Sequence, residues 1–304
     1  MTPPAFWQHD GLLPRLLAPL GWCYAAATAR RVAMPGWRAP VPVICCGNAS
    51  AGGSGKTTLA LDLGQRLQGV AFLTRGHGGT AIGRVDAADP ARFGDEALLL
   101  AQVAPTYVGA DRAVAARQAI ADGARVLVMD DGLQNPGLAK DVSLLVIDGE
   151  AGFGNGRPIP AGPLREPAGV AAARCTAAVL IGPDRTGALA QIGALPVLRA
   201  NLVATDAPTG ERVLAFAGIG RPEKFATTLR AAGVEIAGFT PFPDHNRYTE
   251  ADLQALQAQA TRLGATLVTT PKDAVKLPPG FAQVVGVRLD WEDKAALRRL
   301  MPVP

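Results

Sequence analysis

Ser50-Ala51-Gly52-Gly53-Ser54-Gly55-Lys56-Thr57 joins an apolar, β-branched run, Val41–Cys46, to a helix-forming stretch, Lys56–Leu67. In a strand–loop–helix setting each residue type has a purpose. Glycines let backbone N–H groups wrap phosphate oxygens, and the helix N-terminus adds partial positive charge. Lys56 is expected to reach the β- and γ-phosphates, and the Thr57 hydroxyl to help hold Mg²⁺. The pattern's first glycine is replaced by Ser50, while the Gly-Gly-x-Gly-Lys-Thr core is intact. All eight residues are therefore candidates for binding a nucleotide.

A metal site of this kind needs an acid from across the sheet. Val126-Leu127-Val128-Met129 is a buried-type strand that ends in Asp130, with Asp131 directly after it. One of the two is expected to act on Mg²⁺ directly or through water; both also suit the close of a strand. Further runs alternate with helical stretches. Ala71–Thr74, Thr106–Gly109 and Leu144–Ile147 read as strands, Glu96–Val103 and Arg112–Ala121 as helices. Such alternation predicts a mostly parallel sheet flanked by helices.

The Gly/Pro-rich stretch Gly152–Pro167 interrupts that rhythm. Beyond it Ala177–Ile181, Val213–Phe216, Leu267–Thr270 and Val284–Val287 read as strands, and Phe225–Ala232 and Glu250–Leu263 as helices. The expected fold class is α/β: a P-loop NTPase domain over 1–168 and a smaller α/β domain over 169–304.

Composition sets the outer limits. The chain has 304 residues, 48% of them hydrophobic, which suffices for a large core without covalent staples. Four cysteines without a CxxC pair argue against a disulfide framework or a zinc ribbon. A net charge of +4, with 18% charged and 5% aromatic residues, suits neither a disordered tail nor a nucleic-acid wrapper. No nucleic acid and no obligate protein partner are called for. Cys45 and Cys46 are expected on opposite faces of one strand, and His9 to be structural or exposed.

From Leu12 to Ala29 Arg15 is the single formal charge, and Arg30 and Arg31 follow. The run is short for a transmembrane helix and holds Pro14 and Pro19. Ala25–Ala29 loosely resembles a signal-peptide cleavage site, but a P-loop enzyme needs intracellular nucleotide. Two readings stay open from the pattern. The helix packs on the core, or it lies in a membrane interface with leucines 12, 13, 16, 17 and 20 on one face and Arg30, Arg31 and Arg38 toward headgroups.

The kind of P-loop protein is narrowed by what is missing. Thr270-Pro271-Lys272-Asp273 has the wrong spacing for the base-reading motif of GTPases, and Ala51 stands where partitioning-type ATPases carry a signature lysine. Transfer to a hydroxyl requires a base and cations around the moving phosphoryl group. Asp95, in Gly94-Asp95-Glu96, can act as base or merely start a helix. Asp244-His245-Asn246 can supply a histidine partner or form a surface turn. Arg112, Arg165 and Glu166 fall in or near loops where an anion could be clamped. The rival reading is a P-loop ATPase switch of the partitioning type acting on a membrane or protein partner.

These residues, in this order, resemble the tetraacyldisaccharide 4′-kinases of lipid A biosynthesis over nearly the whole chain. The resemblance rests on Phe6-Trp7, Gly47-Asn48 with the P-loop, Arg75-Gly76-His77-Gly78-Gly79, and Gly94-Asp95-Glu96. It continues through Asp130-Asp131-Gly132-Leu133-Gln134, Pro160-Ala161-Gly162-Pro163-Leu164-Arg165-Glu166, Asp244-His245, and Thr269-Thr270-Pro271-Lys272-Asp273-Ala274. It implies an ATP- and Mg²⁺-dependent enzyme that phosphorylates the 4′-hydroxyl of a tetraacylated glucosamine disaccharide 1-phosphate, giving lipid IV-A. It also implies a location on the cytoplasmic face of the bacterial inner membrane, with residues 1–31 on the membrane surface, and it allows the C-terminal helix, Glu292–Leu300, to pack back on the first domain. By position, Asp95 would be the base with His245 its partner, and Lys56, Thr57 and Arg75 would serve the nucleotide. Asp130 and Asp131 would organise the metal, and Arg112, Arg165 and Glu166 would surround the transferring phosphate. His77, Asn135, Asn246 and Pro271 depart from residues common in that family.

Overall fold

The computed structural model describes residues 4–86 and 89–301. Residues 1–3 of the N-terminal segment and 302–304 of the expected second domain lie outside them. A short 3₁₀ turn, Ala5–Gln8, precedes helix α1 (Leu12–Val32). Strand β1 (Val43–Gly47) runs through the P-loop into α2 (Lys56–Arg66). Then come β2 (Val70–Thr74), β3 (Gly83–Arg84), α3 (Pro90–Phe93), α4 (Asp95–Ala101), β4 (Thr106–Val108), α5 (Arg112–Ala121), β5 (Val126–Asp130) and β6 (Val142–Asp148). The chain continues with α6 (Ala168–Ala172), β7 (Ala177–Ile181), β8 (Val197–Thr205), β9 (Arg212–Ala217), α7 (Pro222–Ala231) and β10 (Glu235–Pro241). It closes with α8 (Glu250–Leu263), β11 (Thr266–Thr269), α9 (Pro271–Ala274), β12 (Gln283–Val284), β13 (Gly286–Trp291) and α10 (Lys294–Leu300).

Among the described residues the strands form two sheets, in the orders β13-β8-β7-β6-β1-β5-β2-β4-β3 and β10-β9-β11-β12. In the larger sheet β13 and β3 pair antiparallel with their neighbours and the other pairings are parallel. The smaller sheet is wholly parallel. Every residue of β1, β2, β5, β6 and β7 is buried. That is the pattern of a parallel sheet covered on both faces, where apolar runs need not alternate with polar residues. Cys45 and Cys46 illustrate the two faces. Cys45 packs with Met129 and Leu133, Cys46 with Leu59 and Leu63, and neither is exposed. His9 is exposed.

The boundary expected near residue 168 does not match the strand pairing. The larger sheet continues through β7 and β8, and β13 returns to it after the smaller sheet. The apolar run Ala177–Ile181 pairs residue by residue with β6, from Leu144↔Ala177 to Asp148↔Ile181, and nothing at the Gly/Pro-rich stretch ends the sheet. The smaller sheet draws its strands from Arg212 to Val284 alone. Helix α10 packs back on the larger sheet, as its apolar face allowed. Leu297 joins Leu59 and Leu63 in one core, and Trp291 Nε1 donates to Asp62 Oδ2 at 3.0 Å.

Besides the two-residue β3, two strands have no counterpart in the sequence reading. β8 carries Arg199 and Asn201 within its run, and β10 is only half-buried and bulged between Ile236 and Gly238. Neither shows the uniform hydrophobicity that marks the central strands.

Candidate functional site

The C-terminal ends of the two sets of parallel strands face each other, the usual place for ligands in open α/β sheets. From the larger sheet come the P-loop after β1, Asp130 and Asp131 at the end of β5, and Asp95 at the start of α4. The smaller sheet adds the turns after β9, β10 and β11. A Cβ placed on Gly220 would stand 3.9 Å from the Gly53 amide nitrogen, so the turn after β9 lies directly over the P-loop.

The P-loop is laced to the loop before α6. Ala51 N donates to Pro163 O at 2.7 Å and Arg165 N to Ala49 O at 2.7 Å. Gly55 takes φ +93°, a conformation that favours glycine, and hands the chain into α2. Thr57 Oγ1 donates to Asp130 Oδ2 at 2.9 Å across the β1–β5 pairing. The other oxygen of Asp130 is buried and has no hydrogen-bond partner. Burial, with Glu96 close by, pushes this carboxyl up to about 7 against the pull of Lys56. A buried, half-satisfied carboxyl beside a P-loop threonine suits a divalent cation, whose charge would favour the ionised form. The residues present therefore fit Mg²⁺.

Asp131 is in a different situation. Its backbone is left-handed, with φ 57°. Arg165 grips both its oxygens, and Lys56 Nζ lies 3.8 Å from Oδ1. Burial alone would raise its carboxyl, but Lys56 and Arg165 hold it down at about 2. Glu166 is buried and engaged from behind: Arg174 donates to both its oxygens, at 2.7 and 2.8 Å, and Gln134 Nε2 to Oε1 at 2.8 Å. Gln134 Nε2 also reaches Asn48 O at 2.9 Å. Glu166 thus braces the arginine loop and the start of the P-loop rather than facing a ligand.

Arg112 is buried with its Nε unpartnered, and its Nη1 donates to Gly109 O. Burial lowers its affinity for a proton, and Asp131 and Asp130 oppose that effect. Arg75 is exposed, and its charge is felt at Arg112.

The acid–histidine pair joins the two sheets. Gly94 has φ +81°, and a Cβ there would strike the His77 carbonyl at 2.3 Å; glycine lets the start of α4 come this close to the loop after β2. Asp95, buried at the first position of α4, meets His245 Nδ1 at 3.0 and 3.1 Å. His245 also has a left-handed backbone, φ 60°. Of the three non-glycine residues with positive φ among the described residues, Asp131 and His245 stand in the cleft, in conformations that the surrounding structure must enforce. Burial would raise the Asp95 carboxyl, but His245, Lys272 and Lys276 together hold it below its ordinary value. His245 is pushed up by its bond to Asp95.

The structure thus brings Lys56, Thr57, Asp130, Asp131, Arg112 and Arg165 around the P-loop, and Asp95 with His245 beside them. Among the departures, Asn135 caps a turn through Gly137 N at 3.0 Å, the His77 ring lies 5.5 Å from that of His245, and Pro271 opens α9. The Asn246 amide nitrogen is buried without a partner. Sequence reasoning missed Gln134, Arg174, Lys272 and Lys276 as contributors. Gln134 and Lys272 lie in quoted motifs and Lys276 just beyond one, while Arg174 lies in none; only tertiary contacts reveal what the four touch.

Comparison with known proteins agrees with this architecture. The profile of the tetraacyldisaccharide-1-P 4′-kinase family matches residues 13–302. A tetraacyldisaccharide 4′-kinase of Gluconacetobacter diazotrophicus is 57% identical, with 99% of this chain and 97% of that protein covered. One of Rhodospirillum centenum is 50% identical, over 99% and 96%. A crystal structure of LpxK from Aquifex aeolicus in complex with ATP superposes with a TM-score of 0.76 at 26% identity, over 95% and 98% of the two chains.

Proposed function

The chain belongs to the tetraacyldisaccharide-1-P 4′-kinase family, and from that premise we propose how its cleft performs the family's reaction. The enzyme transfers the γ-phosphate of ATP to the 4′-hydroxyl of a tetraacylated glucosamine disaccharide 1-phosphate, forming lipid IV-A. The reading as a partitioning-type switch falls away with that assignment.

The observation that carries the mechanism is the Asp95–His245 pair, 3.0 Å apart and built from both sheets beside the P-loop. Asp95 accepts the proton of the 4′-hydroxyl as its oxygen bonds to the γ-phosphorus; the bond to the bridging oxygen breaks and ADP leaves. His245 orients the carboxylate through Nδ1–H. Ser50, Ala51, Gly52, Gly53, Ser54 and Gly55 wrap the phosphates, and Arg75 serves the nucleotide from the rim. Lys56, Arg112 and Arg165 offset charge on the moving phosphoryl group, with Asp131 gripping Arg165 and Glu166 bracing the loop through Arg174 and Gln134. Thr57 and Asp130 would hold Mg²⁺, which draws negative charge off the phosphates. Asp130, with one oxygen unengaged, suits direct contact better than Asp131, whose oxygens Arg165 occupies. The two sheets act as two domains, and the cleft between them closes over the substrates.

The acceptor is a lipid, and α1 suits a lipid surface. Small residues face the protein: Pro14, Gly21, Ala25 and Thr28 are buried, and Gly21 rests on the Pro158 carbonyl. Large ones face outward, with Leu12 76%, Leu16 67%, Leu20 59% and Trp22 61% exposed. A helix that merely packed on the core would bury its large side chains. Arg30 and Arg31 are exposed at its end, while Arg38 pairs with Asp141 at 3.0 Å. Among the described residues no helix is long and apolar enough to cross a membrane. Helix α1 lies in the interface on the cytoplasmic face of the inner membrane. The loop it rests on also carries Arg165, which brings lipid headgroups near the transferring phosphate.

The test is transfer of labelled γ-phosphate from Mg-ATP to the disaccharide acceptor in detergent micelles. The wild type is expected to transfer, and Lys56→Ala and Asp95→Ala to lose about 10³-fold or more. No transfer by the wild type, or undiminished transfer by the variants, would sink the reading.

A further inference from the structure

Thr269–Ala274 has no part in the mechanism above, yet it closes the cleft from the smaller sheet. Asp273 is fully buried and is the hub of this segment. It accepts from Tyr248 Oη at 2.9 Å, Thr270 Oγ1 at 2.7 Å and Gly218 N at 3.1 Å, and pairs with Lys276 at 3.0 Å. Thr270 caps α9 by accepting from Asp273 N at 3.2 Å. With the turn fixed this way, the preceding side chain is delivered across the cleft. Lys272 Nζ lies 3.1 Å from Glu96 Oε1, 3.5 Å from Asp244 Oδ1, 3.9 Å from Asp95 Oδ2 and 3.5 Å from His245 Nε2.

An ammonium has donors and no acceptor. At 3.5 Å the ring form that suits this ammonium has a lone pair on Nε2 and the hydrogen on Nδ1, toward Asp95. We propose that Lys272 is a positioning residue that fixes His245 as the neutral Nδ1–H tautomer and so leaves Asp95 ionised and single-handed as the base. This rests on the reading of Asp95 as the proton acceptor. Asp95, Glu96 and His245 present ligand atoms within 4.8 Å of one another, a grouping that calls for positive charge, and Lys272 supplies it. Burial works against its charge, but Glu96, Asp95 and Asp244 more than offset that.

The charged and titratable groups facing His245 are Asp95 and Glu96 from α4, Asp244 beside it, Lys272 from α9, Lys276 from the turn after α9, and the His77 ring from the loop after β2. Lys276 sits behind Asp95, 3.9 Å from Oδ2, so Lys272 is the cation that meets Nε2. Without it three carboxylates surround the imidazole, and a doubly protonated ring becomes the favoured form. An imidazolium would hold Asp95 in a tight ion pair and weaken it as a proton acceptor.

The test uses the full chain with ¹⁵N-labelled histidine. The sequence has three histidines, and His245→Gln assigns the signal. Long-range ¹H–¹⁵N spectra of the wild type at pH 8 are expected to show His245 neutral with hydrogen on Nδ1. In Lys272→Met its titration midpoint should rise by about one pH unit or more, and Lys272→Arg should restore it. The acidic limb of the kcat profile should move alkaline by the same increment, with KM for ATP within about twofold of wild type. An Nε2–H tautomer in the wild type would overturn the proposal with no variant needed. So would a Lys272→Met protein with an unmoved midpoint, even if its activity fell. Failure of the kinase reading would appear instead as absent phosphoryl transfer with the histidine spectra unaffected.

Discussion

Arg165 holds Asp131 through two parallel bonds, Nη1 to Oδ1 at 2.6 Å and Nη2 to Oδ2 at 3.0 Å. The pair fixes a residue whose backbone is left-handed, and it aims a guanidinium at the space above the P-loop. Lysine keeps the charge but cannot form the fork. Arg165→Lys is therefore expected to lower kcat by about 10- to 100-fold, since misplacement of about an ångström has such effects. Steady-state phosphoryl transfer measures this. A rate close to wild type would show that charge alone suffices.

Asp130 gives the metal-free protein an unusual dependence on pH. Its folded value, about 7, lies above the ordinary 3.8, so the fold favours the protonated form. Between those values the native state binds more protons than the unfolded one, and stability falls as pH rises from about 4 toward 7. Asp130→Asn removes the effect while abolishing metal-dependent activity. In chelator its Tm should exceed that of the wild type by about 2–6 °C at pH 8 and converge with it near pH 4. Equal Tm values at pH 8 would contradict the burial argument.

The outward leucines of α1 can be altered without touching the core. The triple variant Leu12→Glu, Leu16→Glu, Leu20→Glu should keep its Tm within about 2 °C, as surface changes usually do. It should lose flotation with anionic liposomes, and its activity should drop on acceptor presented in vesicles far more than on acceptor in excess detergent. Gly21→Val is the converse experiment. Its side chain would meet the Pro158 carbonyl at 2.8 Å, so it should lower Tm and loosen the helix. Retained flotation by the triple variant would remove the case for this face.

Asp148 ties the two sheets together. At the end of β6 it accepts from Arg221 Nη1 at 2.6 Å and Lys224 Nζ at 2.8 Å, both at the start of α7. Burial would raise its carboxyl, but Lys224 and Arg221 hold it below the ordinary value. That stability is present above the unfolded pKa and is lost as pH falls through the folded one. Asp148→Asn leaves Lys224 without its carboxylate and Arg221 with Glu150 alone, at 3.4 Å, where the sheets meet. KM for ATP is expected to rise about 3- to 10-fold with a smaller change in kcat, because closure is impaired before chemistry is. Unchanged KM would mean that the contact does not govern closure.

The central strands and the P-loop are legible because buried parallel strands are uniformly apolar and a phosphate loop has few sequence solutions. Asp95 and His245 could be named, but 150 residues separate them and only the facing of the two sheets brings them into contact. Glu166 was expected beside the phosphate, and Arg174 and Gln134 turn it to a bracing role. Nothing local announces Arg174, an arginine beside a short helix. Lys272 is hidden in the same way, since its three acidic neighbours come from two segments far from its own. The division near residue 168 followed a loop rich in glycine and proline, but such a loop can lie within a domain when the next apolar run pairs with the strand before it.

The pairing of β13 with β8, six register positions from Gly286↔Thr205 to Trp291↔Ala200, bears on how the enzyme is made. The smaller sheet is an insertion in the larger one. During synthesis the strands around the P-loop emerge early, yet their edge strand and the tryptophan that meets Asp62 come only after the entire insertion has been translated. A nascent chain stalled before residue 286 would carry the phosphate loop on an open-edged sheet. Completion of the nucleotide-binding sheet therefore waits on translation of the smaller sheet inserted into it.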